Sequence, residues 1–314
     1  MPLAAYRGRA ALVVAHPSHE LRVHGWLEQT RPYVCILTDG SGRSGVPQLS
    51  RTSEVLSRVG ATQGAIYGRL TDLEVYSAII GGDSELFAGV VEELAQAFVA
   101  EQIEYVVGDA AEGYNVAHDI CRVMIDAAVE CARQKHDHHL ANFNFPVVGA
   151  PGDSHDDEII RLELDADAFG RKVNAVSAYS PKLAHDIEAT LRGAPFQGIR
   201  RFSEPQLTGE VDVELRALVL EELESWPALK EQLSNIIEDA PLDVIRIECL
   251  RAVDNKTASD SPTNGPLFYE LYGEKLVAAG HYEKVIRYRE HMLPLAQAIR
   301  ARTEREEHCV RSAS

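Results

Sequence analysis

The stretch that decides the fold is residues 10–20, AALVVAHPSHE, in which an apolar run gives way to polar residues. The run at 10–15 predicts a buried strand, and Pro17 suits the first turn of a following helix. His16 then lies at the end of the strand and His19 in the first turn of the helix, with both imidazoles able to point into one crevice. Imidazole is the commonest metal ligand, so the pair indicates half of a metal site. The alternative is that these are hydrogen-bonded structural histidines.

Apolar runs alternate with helical patterns along the first half of the chain. The strand-like runs are YVCIL at 33–37, GAIY at 64–67, EYVV at 104–107, FPVV at 145–148 and IRLEL at 160–164. Helical spacing of apolar residues occurs at 19–29, 50–59, 85–100, 118–133 and 167–179. This alternation predicts an α/β fold, a Rossmann-like and mostly parallel sheet with helices on both faces.

Near Pro181 the alternation of apolar runs and helical patterns gives way to helical stretches rich in Glu and Leu, so we expect two regions. Residues 1–180 form the α/β domain that carries the metal site. Residues 181–314 form a mainly helical C-terminal extension or cap. Within it the sequence predicts a helix at 211–237, a strand inside 241–253, and two helices at 266–302 broken at Gly280.

Composition excludes several classes of function. Lys and Arg number 31 against 48 Asp and Glu, a net charge of −17 that opposes binding to nucleic acid or anionic membranes. The five cysteines include no CxxC pair, which favours buried free thiols in a reducing compartment. We find neither a signal peptide nor an apolar run of the roughly 20 residues that span a bilayer. These features predict a soluble, cytoplasmic protein that binds neither nucleic acid nor membranes; the oligomeric state stays open, and a small-molecule substrate is implied only by the family resemblance described below.

A second polar segment, GDAAEGYNVAHD at 108–119, follows the strand-like run EYVV. Ligands of open α/β sheets bind at the carboxyl ends of strands, so this segment should face the same crevice as His16. His118 and Asp119 open a helix, where the positive end of the helix dipole favours a carboxylate. Glu112 and Tyr114 precede them in the same segment.

A series of motifs makes the sequence resemble the LmbE-like (PIG-L) family of N-acetylglucosaminyl deacetylases. Ala15–Glu20 (AHPSHE) is similar to the family's Ala-His-Pro-Asp-Asp-Glu, with two substitutions. Further matches, in order, are Thr38-Asp39-Gly40, Arg51 and Glu54 before Val59-Gly60, Gly68–Asp72, and Tyr114–Asp119 in place of Tyr-Gly-His-Pro-Asp-His. The resemblance covers roughly residues 11–179.

The resemblance implies a zinc site, although another divalent metal would also suit such ligands. His16 keeps the first ligand position and His19 replaces the family's ligand Asp. The distal ligand falls on Asp119 if the last motif aligns without a gap, or on His118 with a shift of one residue. The substrate-binding positions that the resemblance implies are Asp39, Arg51, Asp72 and Tyr114.

The general base is where the sequence departs most from the family. Ser18 stands where the family has its catalytic Asp, and a hydroxyl cannot accept a proton at neutral pH without a base of its own. Glu20 and Glu112 are candidates to replace it, and Asp109 and whichever of His118 and Asp119 does not bind the metal are others. The first two also have structural interpretations, Glu20 as a carboxylate that orients the loop and Glu112 as a solvated loop residue.

The leading hypothesis is a zinc-dependent amide hydrolase that deacetylates an N-acetylated amino sugar or its conjugate. The alternative is a catalytically inactive LmbE-like protein that binds a sugar or another small molecule, an interpretation that Ser18 favours. A dinucleotide-binding enzyme is disfavoured because the first strand-to-helix turn lacks the glycines that cradle a phosphate.

Overall fold

The computed structural model describes residues 8–42, 45–136, 139–148, 159–179, 245–253 and 265–311. In chain order the elements are β1 (Ala10–Val14), a 3-10 helix (His19–Val23), α1 (His24–Thr30), β2 (Tyr33–Thr38), α2 (Leu49–Val59), β3 (Thr62–Leu70), α3 (Asp72–Gly81), α4 (Ser84–Ala100), β4 (Tyr105–Asp109), α5 (Val116–His136), β5 (Ala141–Phe145), β6 (Ile159–Glu163), α6 (Ala166–Tyr179), β7 (Ile247–Ala252), α7 (Phe268–Ala278), a π-helical turn (Tyr288–Met292) and α8 (Leu293–Arg311). The helix predicted at 211–237 lies outside the described residues.

Seven strands form one sheet in the order β3-β2-β1-β4-β5-β7-β6. The first five in this order are parallel to one another, whereas β7 runs antiparallel to both β5 and β6. The α/β fold class with a mostly parallel sheet is therefore confirmed. The chain leaves β1 toward β2 and β3 on one side, and places β4 and β5 on the other. The ends of β1 and β4 thus form a switch point, where open α/β sheets bind ligands.

Helices cover both faces of this sheet, as the alternation of β1 requires. Ala11 and Val13 pack into a core shared with α3, α4, α5 and α8. Ala10, Leu12 and Val14 point to the opposite face, where α1, α2 and α6 supply the partners. Successive side chains of a strand point to opposite faces, so an uninterrupted apolar run is what a strand buried on both sides needs.

Two elements differ from their predicted positions. The strand predicted at 145–148 is misplaced. Strand β5 spans Ala141–Phe145, so it begins four residues and ends three residues before the predicted strand. The helix predicted at 19–29 begins as a 3-10 helix and continues as α1 only from His24. The predicted break at Gly280 is confirmed, because α7 ends two residues before it and Gly280 adopts a left-handed φ of 76°.

The segment beyond residue 180 contributes to the sheet itself. Strand β7, from that segment, lies between β5 and β6 and pairs with both. The sheet that carries the site thus draws on both sides of the expected boundary. Among the described helices, none has the length and apolar character that crossing a membrane requires.

Candidate metal centre

Three histidines meet at the switch point between β1 and β4. His16 follows β1, His19 opens the 3-10 helix, and His118 is the third residue of α5, which follows β4. Their ring centroids lie 5.3 Å apart for His16 and His19, 5.1 Å for His16 and His118, and 4.5 Å for His19 and His118. One potential ligand atom from each lies within 4.8 Å of the others. This geometry could hold a metal ion.

The local backbone explains why His16 and His19 face the same space. Ser18 between them adopts a left-handed conformation, with a φ of 85°. That conformation is costly for a residue other than glycine and is found where the surrounding structure enforces it. The amide of Ser18 donates to the Thr52 hydroxyl at 3.3 Å. The tight turn brings the two imidazoles back toward each other.

His118 is positioned by the start of α5. The side-chain oxygen of Asn115 accepts a hydrogen bond from the amide of Ala117 at 2.8 Å, as an N-cap residue does. The carbonyl of Asn115 accepts from the amide of His118 at 3.1 Å. The first turn of the helix therefore fixes the direction in which the His118 ring leaves the backbone.

Carboxylates hold two of the three rings. The Nδ1–H of His19 donates to Asp109 Oδ2 at 2.8 Å, and the same oxygen accepts from the amide of Ala15 at 2.8 Å. His16 Nε2 lies 2.8 Å from Asp72 Oδ1. A carboxylate on one ring nitrogen fixes the tautomer and leaves the other nitrogen to bind a metal. The nitrogens left for a metal are Nε2 of His19 and Nδ1 of His16.

The ring of His118 has no such support. It is 1% exposed, and neither of its nitrogens has a hydrogen-bond partner among the residues that the structure describes. A buried polar atom without a partner is costly, and most such atoms in proteins are satisfied. A cation shared by the three histidines would satisfy it, and three imidazoles are an ordinary ligand set for zinc. These residues therefore fit a divalent metal.

Burial and neighbouring charges favour neutral rings at His19 and His118. Burial lowers the pKa of His118 well below its usual value, and the two neighbouring histidines lower it further. Burial also lowers the pKa of His19, against the opposing effect of Asp109. Burial acts in the same direction on His16, but the carboxylates of Asp72, Asp109 and Asp39 outweigh it and raise the pKa of that ring.

The structure separates the two candidates for the distal ligand. His118 belongs to the cluster, whereas Asp119 Oδ1 accepts hydrogen bonds from the amides of Glu112 at 3.0 Å and Gly113 at 3.2 Å. Asp119 therefore fastens the loop that precedes α5. Burial raises the pKa of this carboxyl to about 7, against the lowering effect of the two amides.

The two candidate bases lie in different surroundings. Glu112 Oε2 accepts from the amides of Val147 at 2.8 Å and Val148 at 3.0 Å, which joins its loop to the segment after β5. Glu20 is fully buried, and neither carboxyl oxygen makes a hydrogen bond of good geometry within the described part of the chain. Burial raises the pKa of Glu20 to about 7, although Thr52 and nearby backbone amides act in the other direction.

Of the four predicted substrate-binding residues, Asp72 contacts the cluster, with Oδ1 2.8 Å from His16 Nε2. Asp39 Oδ1 accepts a hydrogen bond from the amide of Ser41 at 2.9 Å, and the charge of Asp39 contributes to raising the pKa of His16. Arg51 instead donates a hydrogen bond to the backbone carbonyl of Tyr179, and its Cζ lies 5.8 Å from the centroid of the Tyr179 ring. These contacts join α2 to α6. Tyr114 is buried and stacks on Phe268 of α7, with ring centroids 4.6 Å apart.

The supporting role of Asp109 could not be assigned from its pattern alone. It is the last residue of β4, and its side chain is fully buried. Its signal in the sequence is a carboxylate that ends an apolar strand next to the switch point, which indicates a site but not a partner. The pairing with His19 requires the register between β1 and β4, in which Val13 lies opposite Gly108.

A mostly parallel α/β fold with three clustered histidines at its switch point, two of them buried, defines a protein with a candidate metal centre. Comparison with protein-family models finds no match, and comparison with curated proteins finds none. Among solved structures, the chain is similar to a conserved protein of Thermus thermophilus, at 18% identity over 64% of this chain and 90% of that one, with a TM-score of 0.40.

Two further similar structures are of a deacetylase. One is the zinc-inhibited form of teicoplanin deacetylase Orf2, with a TM-score of 0.39. The other is a deacetylase–bog complex from the biosynthesis pathway of teicoplanin, with a TM-score of 0.38. Each is 11% identical over 78% of this chain and 97% of its own. All three TM-scores are below 0.5.

Proposed function

We propose that this protein is a metal-dependent amide hydrolase that removes the acetyl group from an N-acetylated amino sugar or its conjugate. The observation that carries the proposal is the cluster of three histidines, with one ligand atom from each within 4.8 Å of the others and with His19 and His118 buried. The choice of an acetylated amino sugar rests on the LmbE-like motif series. A fold alone does not define a substrate, so this part needs its own test.

We propose a separate role for each residue of the centre. His16, His19 and His118 hold the cation, which we propose to be Zn²⁺. When bound, such a cation supplies a Lewis acid that polarises a carbonyl and makes water more acidic. Asp109 orients His19, and Asp72 orients His16, each through a contact of 2.8 Å.

We assign the role of the general base, which takes up a proton during hydrolysis, to Asp39 rather than to Ser18, Glu20 or Glu112. Among the described residues, the Ser18 hydroxyl has no hydrogen-bond partner that could act as its base. Glu20 is fully buried. Glu112 already accepts hydrogen bonds from two backbone amides. Asp39 follows β2 at the same end of the sheet at which His16 follows the neighbouring β1, and it keeps 9% of its surface exposed. An Asp39→Asn variant should then keep its metal and lose turnover.

The test begins with metal content and amine release measured on the same preparations. Wild-type protein loaded with Zn²⁺ should hold one ion per chain and release amine from an acetylated amino sugar. His118→Ala should lose both properties. His24→Ala is the matched control, because His24 is also a buried imidazole near the turn but lies outside the cluster. Equal rates for metal-stripped and loaded protein would contradict the mechanism.

A second candidate is a binding protein without turnover, and the observation that favours it is Ser18 in the position of the family's base. This form would still require the three histidines. It predicts saturable binding of an acetylated sugar with no amine released over many hours. Any metal-dependent amine release that His118→Ala abolishes would exclude it.

A further inference from the structure

A buried ion pair outside the histidine cluster supports the turn that carries His19. Glu248 lies on β7, and its side chain is 1% exposed. Its two carboxylate oxygens accept hydrogen bonds from the first turn of α1, Oε1 from the amide of Gly25 at 2.9 Å and Oε2 from the amide of Trp26 at 2.8 Å. These amides have no partner within the helix, and a carboxylate at a helix N-terminus is favoured electrostatically.

Lys172 of α6 completes the pair and extends it toward the metal centre. Its Nζ lies 2.8 Å from Glu248 Oε1, and it donates to the carbonyl of Arg22 at 2.8 Å. Arg22 belongs to the 3-10 helix that His19 opens. The pair therefore holds this short helix at the carbonyl of Arg22, and α1 behind it at two amides.

The residue at position 25 allows this close contact. A Cβ atom at Gly25 would lie 2.2 Å from Leu164 Cδ2 and 3.4 Å from Glu248 Oε2. A side chain there would force the Leu164 side chain out of its place against the start of α1. The glycine lets the start of the helix dock directly onto these strands.

We propose that Glu248 and Lys172 are positioning residues of the metal centre, so that β7 and the C-terminal segment form part of the site's scaffold. A 3-10 helix of five residues has little rigidity of its own, and the left-handed Ser18 precedes it. The direction of the His19 ring then depends on what holds the helix. Asp109 fixes the ring from the side of β4, and the ion pair fixes the backbone from the side of β7.

The Lys172–Glu248 pair has a role other than stability, because a buried ion pair contributes little to stability compared with apolar residues of the same size. What such a pair does supply is defined geometry, since each hydrogen bond constrains both distance and direction. The hydrogen bonds of this pair to the 3-10 helix and α1 at Arg22, Gly25 and Trp26 are made to backbone groups. The pair therefore sets the position of the backbone whichever side chains the turn carries.

The chain offers a matched control. Arg171 and Glu28 also join α6 to α1, with Nε 2.8 Å from Oε1, but their side chains are 56% and 20% exposed. Arg171 is the neighbour of Lys172 in sequence and makes its ion pair at the surface. Removing it should test the contact between the two helices without touching residues 22–25.

The inference rests on the proposed metal site, and its test measures affinity and spectrum rather than activity. Zn²⁺ affinity would be measured by competition with a chromophoric chelator, and the Co²⁺ form by its visible absorption. The variants are Lys172→Met/Glu248→Gln, which removes both charges, Glu248→Asp, which shortens the carboxylate, and Arg171→Met as control. Groups that orient metal ligands typically contribute about 10–100-fold to metal affinity.

We expect the double variant to bind Zn²⁺ about tenfold more weakly and to show altered Co²⁺ bands, because the imidazole of His19 is no longer held at one angle. Glu248→Asp should lie between the double variant and wild type, and Arg171→Met should match wild type. If either Glu248 variant, folded by circular dichroism, keeps wild-type affinity and spectrum, the pair is only structural and the inference fails. If wild-type protein binds no metal, the proposed function fails with it.

Discussion

Asp109 offers the sharpest test of the metal centre, because one of its oxygens serves two groups. Oδ2 accepts from His19 Nδ1 and from the amide of Ala15, each at 2.8 Å, and the residue is fully buried. Asp109→Asn can keep an oxygen at this point but loses the charge that makes the imidazole a better ligand. We expect metal affinity to fall about tenfold, the lower end of the range for such supporting groups. Asp109→Ala removes the acceptor and should approach a loss of about 100-fold.

The Asp109→Ala variant should also cost stability without any metal present. Two buried donors, on Ala15 and His19, lose their acceptor, and each buried unsatisfied group costs about 1–3 kcal/mol. The assay is Zn²⁺ competition for affinity, with urea unfolding of the metal-free protein beside it. Asp126→Asn is the control, since Asp126 is a buried carboxylate paired with Arg122 at 2.7 Å and lies outside the cluster. Affinity within about twofold of wild type in both Asp109 variants would refute the assigned role.

Three further outcomes follow from the same geometry. Ser18→Ala should leave the rate of amine release nearly unchanged, whereas loss of a true general base costs about 10²–10⁴-fold in steady-state kinetics. Lys172→Met should lower the free energy of unfolding by about 3–5 kcal/mol in urea titrations, because it leaves the Glu248 carboxylate buried without its countercharge. Zn²⁺ at about 100 times its Kd should stabilise the protein by about 2.7 kcal/mol, and this increment should vanish in His118→Ala when both are followed by thermal unfolding.

The fold was predictable where a strand is buried on both faces. Strands β1, β2 and β4 are entirely buried, and each was visible as an apolar run of the right length. Strand β5 was misplaced because FPVV is apolar while the true strand, ANFNF, contains two asparagines. Pro146 lacks the amide that a ladder requires, and Asn142 is satisfied by Asp126 at 2.8 Å, a partner 16 residues away.

The site was predictable only in part, for reasons of helix geometry. His16 and His19 are close in sequence, so one turn is enough to bring them together. His118 and Asp119 are adjacent on a helix, and neighbouring helical residues point about 100° apart. If the start of α5 is uncertain by one residue, the sequence cannot tell whether His118 or Asp119 points toward the other two histidines. Only the structure separates them, with His118 in the cluster and Asp119 bonded to the amides of Glu112 and Gly113.

The contribution of β7 was beyond the reach of sequence, because it depends on contacts between distant parts of the chain. Glu248 meets Gly25 across 223 residues, and the strand that brings it there runs antiparallel into a sheet that is otherwise mostly parallel. Local patterns identify a strand within 241–253 but not its neighbours. Periodicity reports which face of an element is apolar, and strand order depends on the packing of the whole domain.

The balance of charge at the centre supports the proposal that these residues hold a cation. Asp72 and Asp109 lie 2.8 Å from the His16 and His19 rings, the charge of Asp39 also acts on His16, and all three carboxylates are largely buried. Asp109 Oδ1 has no hydrogen-bond partner among the described residues, so the metal-free centre buries negative charge that is only partly compensated. A divalent cation would offset that charge and satisfy His118 at once. Because the hydrolase and the binding protein share this requirement, metal content tests the centre, and amine release then decides between them.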